Sequence, residues 1–260
     1  MITTNEETVF NVFDKINKRE LCAKCKADRL EFKDGDIKFG QYSNLSLGLI
    51  SEDLSDGESI FDIMVVLESH GGTRKNGGFR PTQWETAKEL KEMENYYLKE
   101  NLVKFNQKEI RVLLNELDKM GLTYIITDLV KCFVKKGKDK DRIYNPNFEK
   151  AIEHCGKYLE DQILAFKPRV IVSLGRNVNY HFFNIDQLKH GDVWKLQVQG
   201  PPFRMNINVL NSRNKKEGQG FITHVIQAIF PSRNTADYWI EYGEWQPIIK
   251  QIKDTLTPNE

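Results

Sequence analysis

The chain has 260 residues, 40% of them hydrophobic and 29% charged, with a formal net charge of +1 at pH 7. That composition excludes an intrinsically disordered chain and can fill one large core or two small ones, of which a single α/β domain over residues 1–260 is the simpler expectation. So small a net charge excludes a global field that gathers polyanions; nucleic-acid binding would need local patches such as KCFVKKGKDKDR or NSRNKK, which on charge alone read as solvated loops.

No stretch has the apolar length needed to span a membrane, and MITTNEETVF lacks the basic and apolar regions of a secretory signal. The expectation is a cytoplasmic protein with no membrane contact.

In chain order, FDIMVVL (61–67) reads as a fully buried strand running into the glycine-rich polar loop ESHGGTRKNGG. From about Pro81 to Met120 the periodicity turns helical, with WETAKELKEMENYYLKE and KEIRVLLNELDKM as two candidate helices and Gly121 closing the second. TYIITDLVKCF (123–133) is the next strand, followed by a basic loop and a helix that starts after Asn145-Pro146 and runs to about Ala165. PRVIVSLG (168–175), MNINVL and ITHVIQAIF follow as strands, and TADYWIEYGEWQPIIKQIKDTL closes the chain as one amphipathic helix. Strands alternating with helices predict a three-layer αβα fold with a central, mainly parallel sheet. In such sheets the site lies beyond the carboxyl ends of the strands, so ESHGG, TDLVKC, SLGRN and FPSRN are expected to converge.

The run TYIITDLVKCF carries an anomaly. Its apolar, β-branched pattern is broken by Thr127 and Asp128 and ends with Lys131 beside Cys132. An unpartnered carboxylate is costly in a buried strand, so a functional site is expected at this strand's end.

The four cysteines, in a chain read as cytoplasmic, argue against structural disulfides. Cys22 and Cys25 form a C-x-x-C, whereas Cys132 and Cys155 stand alone. Four thiolates suit one tetrahedral site, and zinc and iron-sulfur clusters both use that ligand set; burial of Cys132 and Cys155 as small apolar residues is the competing reading.

The ordered set LESHGG, ITDLVKC, HCGKYLEDQI, KPRVIVSLG and IFPSRN resembles the uracil-DNA glycosylase superfamily, and within it the iron-sulfur (family 4-like) branch, of which this chain would be a divergent member. That branch has an N-terminal C-x-x-C, a G-E-A-P-G loop after its first strand, an I-T-N-x-V-K-C strand end, a cysteine before Y-L-x-x-Q-I, a P-K-V-I-V-x-L-G strand and a late H-P-S. The likeness covers most of the chain, with an enlarged helical segment at about 82 to 120. It implies a single uracil-DNA glycosylase-like domain, DNA as partner to a monomeric protein, and a structural 4Fe-4S cluster held by Cys22, Cys25, Cys132 and Cys155, with zinc as the alternative. Lys131 would then offset thiolate charge or reach a phosphate.

The departures from the family pattern point to the substrate. Asp128 stands where relatives carry the asparagine that reads the extruded base. An asparagine amide matches uracil; cytosine presents the reversed edge, an N4 donor and an N3 acceptor, which a protonated carboxyl complements. Such a carboxyl, kept neutral by its apolar surroundings, could also give its proton to N3 as the base leaves. A neutral carboxyl can rotate to satisfy uracil, and capping a helix or pairing with Lys131 are the plain structural roles for Asp128.

Phe230 replaces the histidine of H-P-S, which in relatives stabilises charge on the base O2; either base protonation compensates or the chemistry is lost. His224, on the same strand but six residues earlier, is too far away to substitute and reads as an ordinary strand histidine.

Glu68 occupies the carboxylate position of G-E-A-P-G, suited to placing a water or stabilising an oxocarbenium-like sugar, and His70 is a candidate base or phosphate ligand. Gly71 and Gly72 leave room beside the base, Phe79 resembles the aromatic that stacks on it, and Phe230 lines the base slot. Ser232, Arg233 and Asn234 fill the segment that relatives press into the minor groove, and Gly175 and Arg176 are further candidates for DNA contact.

A glycosylase taking unmodified cytosine would destroy its host's genome. The expectation is therefore a C5-modified cytosine, such as the glucosylated hydroxymethylcytosine of phage DNA, and a role in antiviral defence. The alternatives are a conventional uracil-DNA glycosylase of base excision repair and a catalytically inactive DNA-binding member of the superfamily.

Overall fold

The structure is a computed structural model that describes residues 5, 7–9, 11, 12, 58–69, 105–130, 146–182, 203–210, 220–231 and 235–257. Its strands are β1 (Ile63–Ser69), β2 (Tyr124–Val130), β3 (Val170–Leu174), β4 (Phe203–Leu210) and β5 (Gly220–Ala228). They form one sheet in the order β2-β1-β3-β5-β4. The first four pair in parallel and β4 lies antiparallel on the edge of β5.

Helices cover both faces, giving the expected three layers. On one face lie α1 (Phe105–Lys119), α4 (Ala236–Glu241) and α5 (Gln246–Leu256), which bury Leu113, Leu114, Leu117, Trp239, Ile248, Ile249 and Ile252 with Ile63, Val65, Ile126, Val172 and Ile226. On the other lie α2 (Pro146–Phe166) and α3 (Arg176–Phe182), packed with Val9 and Val12 against Met64, Val66, Ile125, Leu129, Ile171 and Val225. The buried positions of α1 and α2 recur every three or four residues, whereas β2 and β3 are buried without a break and the strands send alternate side chains to the two cores.

The chain punctuates these elements as its residues require. Gly121, at φ 65°, ends α1 with its N–H on Asp118 O and the next N–H, that of Leu122, on Leu117 O, the paired bonds of a Schellman motif. α2 begins at Pro146, where the missing N–H costs nothing.

Three expectations are corrected. The closing segment is two helices rather than one, because Gly243 and Glu244 take φ of 80° and 55° between them and Pro247 opens α5. The segment after β3 is a seven-residue helix, α3, that sequence periodicity did not reveal. β1 runs on through Glu68 and Ser69, because β2 offers Val130 as a ladder partner for Ser69. Of the enlarged helical segment, α1 is described; residues 82–104 lie outside the described residues.

At the amino edge of the sheet, the Asp62 carboxylate accepts from the N–H and the hydroxyl of Thr123, each at 3.0 Å, and Arg169 reaches Asp62 at 3.3 Å and the Leu256 carbonyl at 3.2 Å. These bonds close the amino edge, leaving the carboxyl edge as the place for a site. Among the described residues, no helix is long and apolar enough to cross a membrane.

Candidate active site

The next described helix after β1, α1, lies on one face, and the next after β3, α3, lies on the other. Neighbouring parallel strands followed by helices on opposite faces open a crevice at their carboxyl ends. Glu68 and Gly175 flank that crevice.

Three of the expected segments meet there. A Cβ placed on Gly175 would stand 4.0 Å from Glu68 Oε2 and 3.3 Å from the Cβ of Phe230, so the ends of β1, β3 and β5 converge within van der Waals reach. Gly175 has φ 95°, a conformation that L side chains rarely adopt, and its N–H donates to the Ala228 carbonyl at 3.0 Å. Phe230 is half-buried against the α1 face. Its carbonyl accepts from Thr235 Oγ1 at 2.8 Å, a bond between residues on either side of positions 232–234.

Asp128 lies on the adjacent strand, level with Leu67 and one position behind Glu68. It is 5% exposed. Its neighbour Thr127 donates to Gln162 Oε1 of α2 at 3.0 Å, and Leu129 belongs to the same face; alternation therefore sends Asp128 to the α1 face with Ile126. The same reasoning sends Glu68 to the α3 face with Val66. A ligand touching both carboxyl groups must straddle the carboxyl edge of β1.

Beneath the crevice is a buried polar bracket. Ser173 Oγ donates to Asn179 Oδ1, Asn179 Nδ2 donates to the Ala228 carbonyl at 3.1 Å, and Gln227 Nε2 donates to the Asn179 carbonyl at 3.0 Å. Sequence reasoning missed it, although Ser173 breaks an apolar strand just as Asp128 does.

Cys155 lies on α2, 3% exposed, in the core that also holds Val130, Val9 and Val12. Val130 precedes Cys132 by two positions, and Val9 and Val12 lie on the N-terminal segment that leads to Cys22 and Cys25. Among the described residues themselves no group of metal-ligating side chains forms.

The remaining expected site residues, His70, Gly71, Phe79, Ser232, Arg233, Asn234, Cys22, Cys25 and Cys132, lie outside the described residues, as does the side chain of Arg176. His224 pairs with Val170 at the amino end of β3, the far end of the sheet from Glu68, as an ordinary strand residue.

A mainly parallel α/β sheet with Glu68 and Asp128 at the carboxyl ends of adjacent strands fits an α/β enzyme. The family model of the uracil DNA glycosylase superfamily matches residues 81–238, about three-fifths of the chain, and the protein belongs to that superfamily. Its function is of the DNA glycosylase type, with DNA as the partner. The match takes in β2, α2, β3 and β5, while β1 with Glu68 precedes it. No curated protein matches the chain.

Proposed function

We propose that the protein is a DNA glycosylase of the iron-sulfur branch that extrudes a cytosine-type, C5-modified base and hydrolyses its bond to the sugar, in defence against phage whose DNA carries such bases. The observation that carries this reading is the burial of Asp128, a carboxyl one position behind Glu68 on the adjacent strand.

A flipped base laid across the carboxyl edge of β1 turns its Watson–Crick edge to Asp128 and its sugar to Glu68. Burial favours the neutral form of a carboxyl, so Asp128 accepts from the N4 amine and donates to N3. Glu68 orients a water against C1′ and takes its proton as the C1′–O bond forms. The C1′–N1 bond breaks, its electron pair goes to the base, and the Asp128 proton on N3 makes the departing base neutral. That route dispenses with an oxyanion donor at O2, where Phe230 presents only an apolar ring.

Cys22, Cys25, Cys132 and Cys155 would hold a 4Fe-4S cluster, which supplies a cross-link between the N-terminal segment, the end of β2 and α2 rather than redox chemistry. The absence of a donor at Phe230 favours one second reading, a DNA-binding module without chemistry.

Abasic-site formation decides between them, on matched oligonucleotides carrying uracil, cytosine, 5-hydroxymethylcytosine or glucosylated 5-hydroxymethylcytosine, with Glu68→Gln as control. Release confined to a modified cytosine, lost in Glu68→Gln and shifted toward uracil in Asp128→Asn, supports the proposal. Release of uracil alone returns the protein to conventional repair, and binding without any release makes it a DNA-binding module.

A further inference from the structure

Asn179 is fully buried on α3 and makes hydrogen bonds with four groups. Its backbone N–H donates to the Gly175 carbonyl at 3.0 Å, its Nδ2 to the Ala228 carbonyl at 3.1 Å, and it accepts from Ser173 Oγ and Gln227 Nε2. The Ala228 carbonyl also takes the Gly175 N–H at 3.0 Å. Gly175, Asn179 and Ala228 therefore close a ring of hydrogen bonds joining the end of β3 to the end of β5.

We infer that Asn179 is a positioning residue, setting the gap between those strand ends and with it the placement of Phe230 against Glu68. The inference rests on the glycosylase reading and adds to it the group that holds the two walls of the base slot in register.

The mechanical path is short. Ala228 leads through buried Ile229 to Phe230, whose Cβ lies 3.3 Å from the Cβ point of Gly175, with Glu68 Oε2 4.0 Å from the same point. If the side-chain amide of Asn179 is lost, one of the two donors to the Ala228 carbonyl goes, and the end of β5 is free to drift from β3. A displacement of about 1 Å at a reacting centre lowers rates about 100-fold, so a fixed gap has a kinetic consequence separate from stability.

The test compares Asn179→Ala, Asn179→Asp and Ser173→Ala with the wild-type chain. Asn179→Asp keeps the shape and the acceptor for Ser173 but turns an oxygen toward the Ala228 carbonyl, so it carries the test if Asn179→Ala does not fold. Ser173→Ala leaves the bond to Ala228 in place. Three quantities are read on folded protein: single-turnover base release, affinity for an undamaged duplex, and affinity for a duplex with a tetrahydrofuran abasic-site analogue.

The expected result is a loss of about 100-fold in base release for both Asn179 variants, with undamaged-duplex affinity unchanged and a smaller loss for Ser173→Ala. Base release close to wild type, or a loss matched by undamaged-duplex affinity, overturns the inference. If the wild type releases no base, the glycosylase reading fails by itself and the analogue decides: a wild-type preference for it that Asn179→Asp abolishes supports the inference. No such preference in the wild type, or one that Asn179→Asp retains, overturns it.

Discussion

Glu68 Oε2 lies 4.0 Å from the point where Gly175 would carry a Cβ, so the carboxylate at the end of β1 faces bare backbone at the end of β3. Gly175→Ala would put a methyl group there, 3.3 Å from the Cβ of Phe230, at φ 95°. The conformational cost alone is about 1–2 kcal/mol. Urea denaturation should show at least that loss, and base release should fall further than stability accounts for. Gly121→Ala is the control: its φ is 65° with nothing within 4 Å, so it should lose about 1 kcal/mol and keep its reactivity toward DNA.

Thr235→Val removes the 2.8 Å bond to the Phe230 carbonyl while keeping the side chain's shape. The expected cost is about 1 kcal/mol in denaturation. Because that bond joins the residues on either side of Ser232, Arg233 and Asn234, duplex affinity should fall as well. Unchanged affinity in a destabilised variant would show that the bond serves the fold alone.

Cys155 tests the cofactor. The wild-type chain purified under air should be brown and contain iron, and Cys155→Ala should lose the colour together with thermal stability. A colourless wild type holding stoichiometric zinc would replace the cluster with a zinc site.

His181 gives a pH dependence. Burial lowers its pKa below the ordinary 6.5, with the nearby Glu160 carboxylate opposing the shift. The unfolded chain therefore takes up the proton first as pH falls. Stability should be flat above the ordinary histidine value, decline as pH drops through it, and level off once the folded state is protonated too. Urea midpoints between about pH 5 and pH 8 should show this decline, and His181→Gln should reduce it.

The main lines of the fold were legible because their signals are local. Gly121 ends α1, Pro146 opens α2, and the apolar runs at 63–67 and 170–174 are too continuous for anything but buried parallel strands. Asp128 stood out for the same reason, as a charge in an apolar run. What escaped was set by partners: Glu68 and Ser69 are strand residues because Val130 is there to pair, and α3 is too short for periodicity to declare it. The split between α4 and α5 needed the backbone angles of Gly243 and Glu244. Asn179 belongs to the site through Ala228, a residue 49 positions away in sequence.

Because β1 pairs with β2 beyond Glu68, at Ser69 and Val130, both candidate carboxyl groups are mounted inside a hydrogen-bonded ladder and not on loops. Their amides should exchange with deuterium only through opening of the sheet itself, among the slowest in the molecule. Carboxyl groups anchored that way do not move to meet their ligand. On the proposed reading, the distortion needed to bring base and carboxyl together is then taken up by the DNA.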